Sequence, residues 1–139
     1  MPEATRILVV DDDKDLRHVM CELLQDEGYE VQGAENGAAA LELLRSGRPL
    51  PHQVLLDLMM PGVDGWQFRE LQRADPRLAH LPVVALTASR NLRAYPPLEV
   101  DALALKPVDF DELLQLVRRY TAREPRPSSG ALAWDAHVS

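Results

Sequence analysis

The feature that most restricts the fold is a repeated exchange between two hydrophobic periods. Ile7-Leu8-Val9-Val10 is a short unbroken apolar run rich in β-branched residues, the pattern of a strand buried on both faces. Leu16, Val19, Met20, Leu23 and Leu24 then recur at helical spacing, and Gly28 is placed to end that helix as its C′ residue. The exchange repeats along the chain. Tyr29 to Ala34 reads as a second strand, and Asn36-Gly37 precedes an Ala/Leu-rich helix that ends near Ser46-Gly47. Gln53 to Asp57 is a third strand, Pro61-Gly62 marks a loop, and Asp64 with Gln67 has the form of a capping box. Leu81 to Leu86 and Ala102 to Leu105 supply a fourth and a fifth strand. Asp109 with Glu112 resembles another capping box, opening a helix whose apolar face is Phe110, Leu113, Leu114 and Val117. Strands alternating with helices imply an α/β fold. Of the topologies that right-handed crossovers leave open, a doubly wound five-stranded parallel sheet of order 2-1-3-4-5, with helices on both faces, is expected. Ligands in such a sheet bind outside the carboxyl ends of the strands, at the switch point.

The bulk properties agree with one domain and a short tail. The chain has 139 residues and is 46% hydrophobic, enough for a core without disulfides, and Cys21 is its lone cysteine. A formal charge of −7 does not indicate a nucleic-acid partner. No apolar run approaches the roughly 18 residues of a membrane helix. The run at residues 7–10 is too short for a signal-peptide core, so a cytoplasmic location is expected. Residues 1–4 read as an extension, 5–122 as the domain and 123–139 as a flexible tail that begins in a Pro/Ser/Gly-rich stretch and holds Trp134.

The strand ends carry the chemistry. Strand 1 runs into Asp11, Asp12 and Asp13, strand 3 ends in Asp57, strand 4 is followed by Thr87, and strand 5 by Lys106-Pro107. In the expected order those strands are neighbours, so acids, a hydroxyl and an ammonium converge. Carboxylates at close range repel unless a cation enters, and oxygen-only ligands suit Mg²⁺. A carboxylate can attack phosphorus to give an acyl phosphate, with the metal and Lys106 neutralising the transferring group. Asp13 and Asp15 are read as helix-capping acids, and Asp64 and Gly65 as cap and turn. His18 and Cys21 share a helix face but find no further ligand pair for a structural zinc.

These residues, in order and at compatible spacing, resemble the receiver domain of two-component response regulators. The matching pieces are Ile7 to Asp13, Val54 to Gly65, Leu86-Thr87-Ala88 and Lys106-Pro107, and the resemblance covers roughly residues 5 to 122. It implies that Asp57 is the phospho-acceptor, served by a histidine kinase or histidine phosphotransfer protein. It also implies that Asp12 contacts Mg²⁺ directly, Asp11 largely through water, and Asp57 and the Met59 carbonyl as further ligands. Thr87 and Lys106 would hold the phosphoryl group, and Lys106-Pro107 would be a cis peptide.

The sequence departs from that pattern in one region. The stretch between Thr87 and Lys106 is shorter than the resemblance leads one to expect, and it contains Pro96-Pro97, which cannot lie inside a regular helix. The family's fourth helix is therefore expected to be short or irregular, with a turn or two between Ser89 and Ala94. An aromatic residue often precedes the family's lysine by three positions; here Leu103 stands there, so an aromatic-coupled switch is not expected. The leading reading is a stand-alone phospho-acceptor that only assists its own phosphoryl transfer and autodephosphorylation. Its output would pass through an unidentified downstream protein, without nucleic acid or membrane, and pairing into a homodimer is one arrangement the resemblance allows. An alternative is a phosphorylation-independent protein-binding module on the same scaffold, using the face around Tyr95 to Leu98. An aspartate-nucleophile phosphatase is disfavoured. Asp11-x-Asp13 superficially resembles the haloacid-dehalogenase signature, but Lys14 breaks it.

Overall fold

The computed structural model describes residues 5–60, 62–88 and 98–121. Five parallel strands form one sheet: β1 (Arg6–Val10), β2 (Glu30–Ala34), β3 (Gln53–Asp57), β4 (Val83–Thr87) and β5 (Ala102–Leu105). Their order is β2-β1-β3-β4-β5, as the sequence predicts. Helices α1 (Lys14–Asp26), α2 (Gly37–Leu44), α3 (Gly65–Ala74) and α4 (Phe110–Thr121) cover both faces. The expectations that fall on residues 1–4, Pro61, 89–97 and 122–139 lie outside the described residues, including the irregular helix, Tyr95 and Trp134.

Strand alternation builds two cores. Leu8, Val10, Val54, Leu56, Val83 and Ala85 face α2 and α3, where Leu41, Leu44 and Phe68 meet them. Ile7, Val9, Leu55, Val84 and Leu86 face α1 and α4, against Met20, Leu24, Leu113 and Val117. Covering both faces is why β1, β3 and β4 are buried throughout, and why they read as unbroken apolar runs. The edge strands β2 and β5 are partly exposed.

Local chemistry fixes the element ends. Asp13 caps α1 by accepting from the Leu16 N–H at 3.1 Å. Helix α1 closes in a Schellman motif: Gly28 adopts φ +98° and donates to the Gln25 carbonyl, while Tyr29 donates to Leu24. Asp64 and Gln67 make both bonds of the capping box at α3. At α4, Asp109 accepts from the Asp111 and Glu112 N–H groups, the forward half of the second box. Strand β4 begins at Val83 rather than Leu81. The Leu81 carbonyl accepts from the buried Gln72 amide and Pro82 has no N–H, so pairing starts at the Pro82 carbonyl, which accepts from the Val54 N–H, while the Val83 N–H donates to Asp101 Oδ2. Thr87 is thus the last residue of β4 instead of the residue after it. Helix α2 stops at Leu44, short of Ser46-Gly47, where Arg45 already leaves helical geometry.

Candidate functional site

The central strands deliver their carboxyl ends to one rim. Val10 leads into Asp11 and Asp12, and β3 and β4 terminate in Asp57 and Thr87. Beside them β5 leads into Lys106, whose N–H donates to the Thr87 carbonyl at 2.8 Å. The Lys106–Pro107 peptide is cis, as the resemblance implied. Lys106 Nζ lies 3.0 Å from Asp11 Oδ2 and 3.4 Å from Asp57 Oδ2. One carboxylate oxygen from each of Asp11, Asp12 and Asp57 falls within 4.8 Å of the others. Asp11, Asp57 and Thr87 are buried, whereas Asp12 is exposed.

The surrounding backbone holds these groups in register. Asp11 donates its N–H to Ala34, accepts from the Asp13 N–H at Oδ1, and accepts from Arg17 Nη1 at its carbonyl, 2.8 Å away. After Asp57 the chain turns sharply. The Met59 N–H donates to Asp57 Oδ1 at 3.1 Å, and the Leu58 carbonyl accepts from Gly65 at 3.0 Å. A Cβ on Gly65 would sit 2.6 Å from the Leu58 Cα, and one on Gly37 2.5 Å from the Val63 carbonyl oxygen. The N-termini of α2 and α3 are therefore pressed against the loop that follows Asp57. The sequence predicts a turn at Gly65; its larger role is to let backbone approach backbone, a contact that only the tertiary arrangement reveals.

Electrostatics mark Asp57 out. Burial, followed by the Asp11 charge, pushes its carboxyl up from 3.8 to about 7, against the opposing pull of Lys106 and the Met59 N–H. Burial alone would lower the Lys106 pKa, but the hydrogen bond to Asp11 and the charges of Asp57 and Asp11 outweigh it, and the net shift is upward. Lys106 is therefore a firmly charged ammonium. Three clustered carboxyls made of oxygen alone, one of them buried beside another acid, suit a hard divalent cation. Asp13 is occupied as the α1 cap, so an Asp11-x-Asp13 phosphatase pair lacks its second acid. His18 is exposed beside Glu22, and the acid cluster does not include it or Cys21. Arg17 and Gly37 were not singled out by sequence reasoning, since Arg17 over Gly33 and Gly37 against Val63 are contacts that only the packing of separate elements creates. A cleft of about 770 Å³ also opens at the amino ends of β1 and β2, between Arg6, Tyr29, Glu30 and Pro49, away from these acids.

Comparison with known proteins agrees with this geometry. Residues 7–118 match the response regulator receiver domain. Response regulator Rre1 of Synechocystis is 38% identical over 133 residues, covering 92% of this chain and 56% of Rre1. The sensor protein GacS of Pseudomonas syringae is 34% identical over 97% of this chain but 16% of its own length. The chain thus spans little more than half of Rre1 and a small part of GacS. Among solved structures, TrrA of Thermotoga maritima in complex with Mg²⁺-BeF superposes with a TM-score of 0.72 at 36% identity, covering 84% of this chain and 98% of TrrA. The signal receiver domain of a histidine kinase from Syntrophus aciditrophicus gives 0.81 at 26% identity, covering 91% and 96% of the two chains. A match over most of the chain, with relatives named as response regulators and superposable solved receiver domains, means that this chain belongs to the response regulator receiver domain family of two-component signalling.

Proposed function

We propose that the chain is a Mg²⁺-dependent phospho-acceptor in a two-component or phosphorelay system. Asp57 receives the phosphoryl group from a histidine kinase or histidine phosphotransfer protein, and output passes through contact with another protein. The observation that carries this reading is the convergence of Asp57 with Asp11, Asp12 and Lys106 on one rim. Asp11, Asp12, Asp57 and the Met59 carbonyl would hold the metal. When bound, the ion offsets the repulsion among the acids and supplies positive charge for the phosphoryl oxygens.

The chain's own groups do the rest. A carboxylate oxygen of Asp57 attacks phosphorus, the phosphorus–nitrogen bond of the donor phosphohistidine breaks, and its electron pair stays on the imidazole nitrogen. Lys106, already within 3.4 Å of Asp57 Oδ2, accompanies the charge that develops on the phosphoryl oxygens, and the Thr87 hydroxyl donates to one of them. Attack of water on phosphorus later returns Asp57 and inorganic phosphate. The Met59 N–H steadies the acceptor by donating to Oδ1.

Incubation with a small acyl phosphate and Mg²⁺, read by intact mass, tests the proposal. Wild type should gain one phosphoryl adduct, and Asp57→Asn none. An adduct retained in Asp57→Asn, or absent from wild type with every donor tried, would overturn it. A second reading, a module whose partner affinity ignores phosphorylation, draws on Leu103 and Leu105. These are 43% and 41% exposed on the edge strand β5. Partner affinity left unchanged by Asp57→Ala would favour it.

A further inference from the structure

Arg17 lies near the start of α1, outside the acids and the lysine that converge on the rim, yet it reaches the site. Its Nη1 donates to the main-chain carbonyl of Asp11 at 2.8 Å. The stem crosses β2 at Gly33, where an added Cβ would lie 3.2 Å from Arg17 Cδ and 3.4 Å from Cγ. Gly33 is exposed, and its lack of a side chain leaves room for the arginine stem to lie close over β2. The peptide just before the one Arg17 reaches is held by the same strand, since the Asp11 N–H donates to the Ala34 carbonyl of β2. Asp11 and Asp12 flank that carbonyl, so its orientation sets how the two carboxylates leave the end of β1.

From this geometry we infer that Arg17 is a positioning residue for the cation site, and that Gly33 is its counterpart on β2, where a side chain would push the arginine stem aside. The inference rests on the reading of Asp11, Asp12 and Asp57 as a Mg²⁺ site. Arginine serves here through reach and direction. A lysine ammonium ends one bond earlier and lacks the planar fork, so it keeps the charge but loses the contact. Loss of a group that orients metal ligands typically weakens metal affinity by about tenfold or more. Loss of a nearby positive charge acts in the opposite direction, since a cation repels Mg²⁺. The two roles therefore predict opposite signs.

The test measures Mg²⁺ affinity by calorimetry on the unphosphorylated chain for wild type, Arg17→Lys, Arg17→Ala, Gly33→Ala and the Arg17→Ala/Gly33→Ala double variant. Thermal midpoints are followed by circular dichroism. Positioning predicts that Arg17→Lys and Arg17→Ala both bind Mg²⁺ about tenfold more weakly. Gly33→Ala should lose affinity in the wild-type background but lose nothing further once Arg17 is gone. Phosphorylation by a small acyl phosphate should slow at low Mg²⁺ and recover at saturating Mg²⁺. Wild-type affinity in Arg17→Lys, tighter binding in Arg17→Ala, or a full extra loss in the double variant would each overturn the inference. If Arg17→Ala does not fold, Arg17→Lys and Gly33→Ala decide. Wild type that binds no Mg²⁺ defeats the cation-site reading itself and this inference with it, whereas a normal wild type beside normal variants defeats only the role of Arg17.

Discussion

Replacing Asp57 by asparagine should stabilise the metal-free protein at alkaline pH and do little in acid. The variant keeps an oxygen to accept from the Met59 N–H and removes the charge that burial and Asp11 oppose. The sign follows from linkage. The folded chain holds the Asp57 proton up to about pH 7, whereas the unfolded chain releases it near the ordinary value of 3.8. This group's contribution to stability is therefore full below about pH 4, declines as pH rises toward 7, and is lost above it. At 1.36 kcal/mol for each tenfold change, that gap corresponds to about 4 kcal/mol at most, and relaxation around the site brings the expected gain to about 2–4 kcal/mol at about pH 8. Lys106 keeps Asp11 as a partner in the variant, so loss of its weaker contact with Asp57 offsets only part of the gain. Urea unfolding with a chelator present should show the midpoint of Asp57→Asn higher by roughly 1–2 M at about pH 8, for a slope of about 2 kcal/mol/M. The difference should shrink toward zero near about pH 4. Saturating Mg²⁺ should stabilise wild type and narrow the gap from the other side. An equal gain at both pH values, or a loss at pH 8, would refute the argument, because neither follows from a buried carboxyl with a raised pKa.

Further consequences follow from the same contacts. Gly65→Ala would drive a Cβ into the Leu58 backbone at 2.6 Å, and should lower stability by about 1–3 kcal/mol and slow phosphoryl uptake, measured by unfolding and intact mass. Asp64→Ala removes the side-chain bond that the Gln67 N–H donates to Asp64 Oδ1, while the backbone half of the α3 capping box remains, and should cost about 1 kcal/mol in urea unfolding, with Mg²⁺ affinity little changed. Gln53 is wholly buried with Oε1 lacking a hydrogen-bond partner among the described residues, while its Nε2 donates to the Val117 carbonyl, which also accepts from Thr121. Gln53→Met should therefore be neutral or stabilising by about 1 kcal/mol; a loss of several kcal/mol would show that a buried water satisfies that oxygen.

The sequence by itself determined the strand order, the two-faced core and the identity of the rim residues. In a doubly wound sheet, apolar runs buried on both faces must alternate with amphipathic helices, and the polar residues that end such runs have one common rim to occupy. Asp11, Asp57, Thr87 and Lys106 were legible on those grounds, as were the caps at Asp13 and Asp64, where the signal is local. Tertiary structure alone decided what joins segments far apart along the chain. Strand β4 starts at Val83 rather than Leu81 because Gln72, on α3, claims the Leu81 carbonyl and Pro82 has no N–H to pair, while Asp101, just before β5, takes the Val83 N–H. The loop after Asp57 is set by how closely Gly37 and Gly65 admit their neighbours, and the Asp11 carbonyl by an arginine passing over Gly33. Periodicity reports which face a residue takes, but close approach between two backbones depends on coordinates that no pattern along one strand or helix contains.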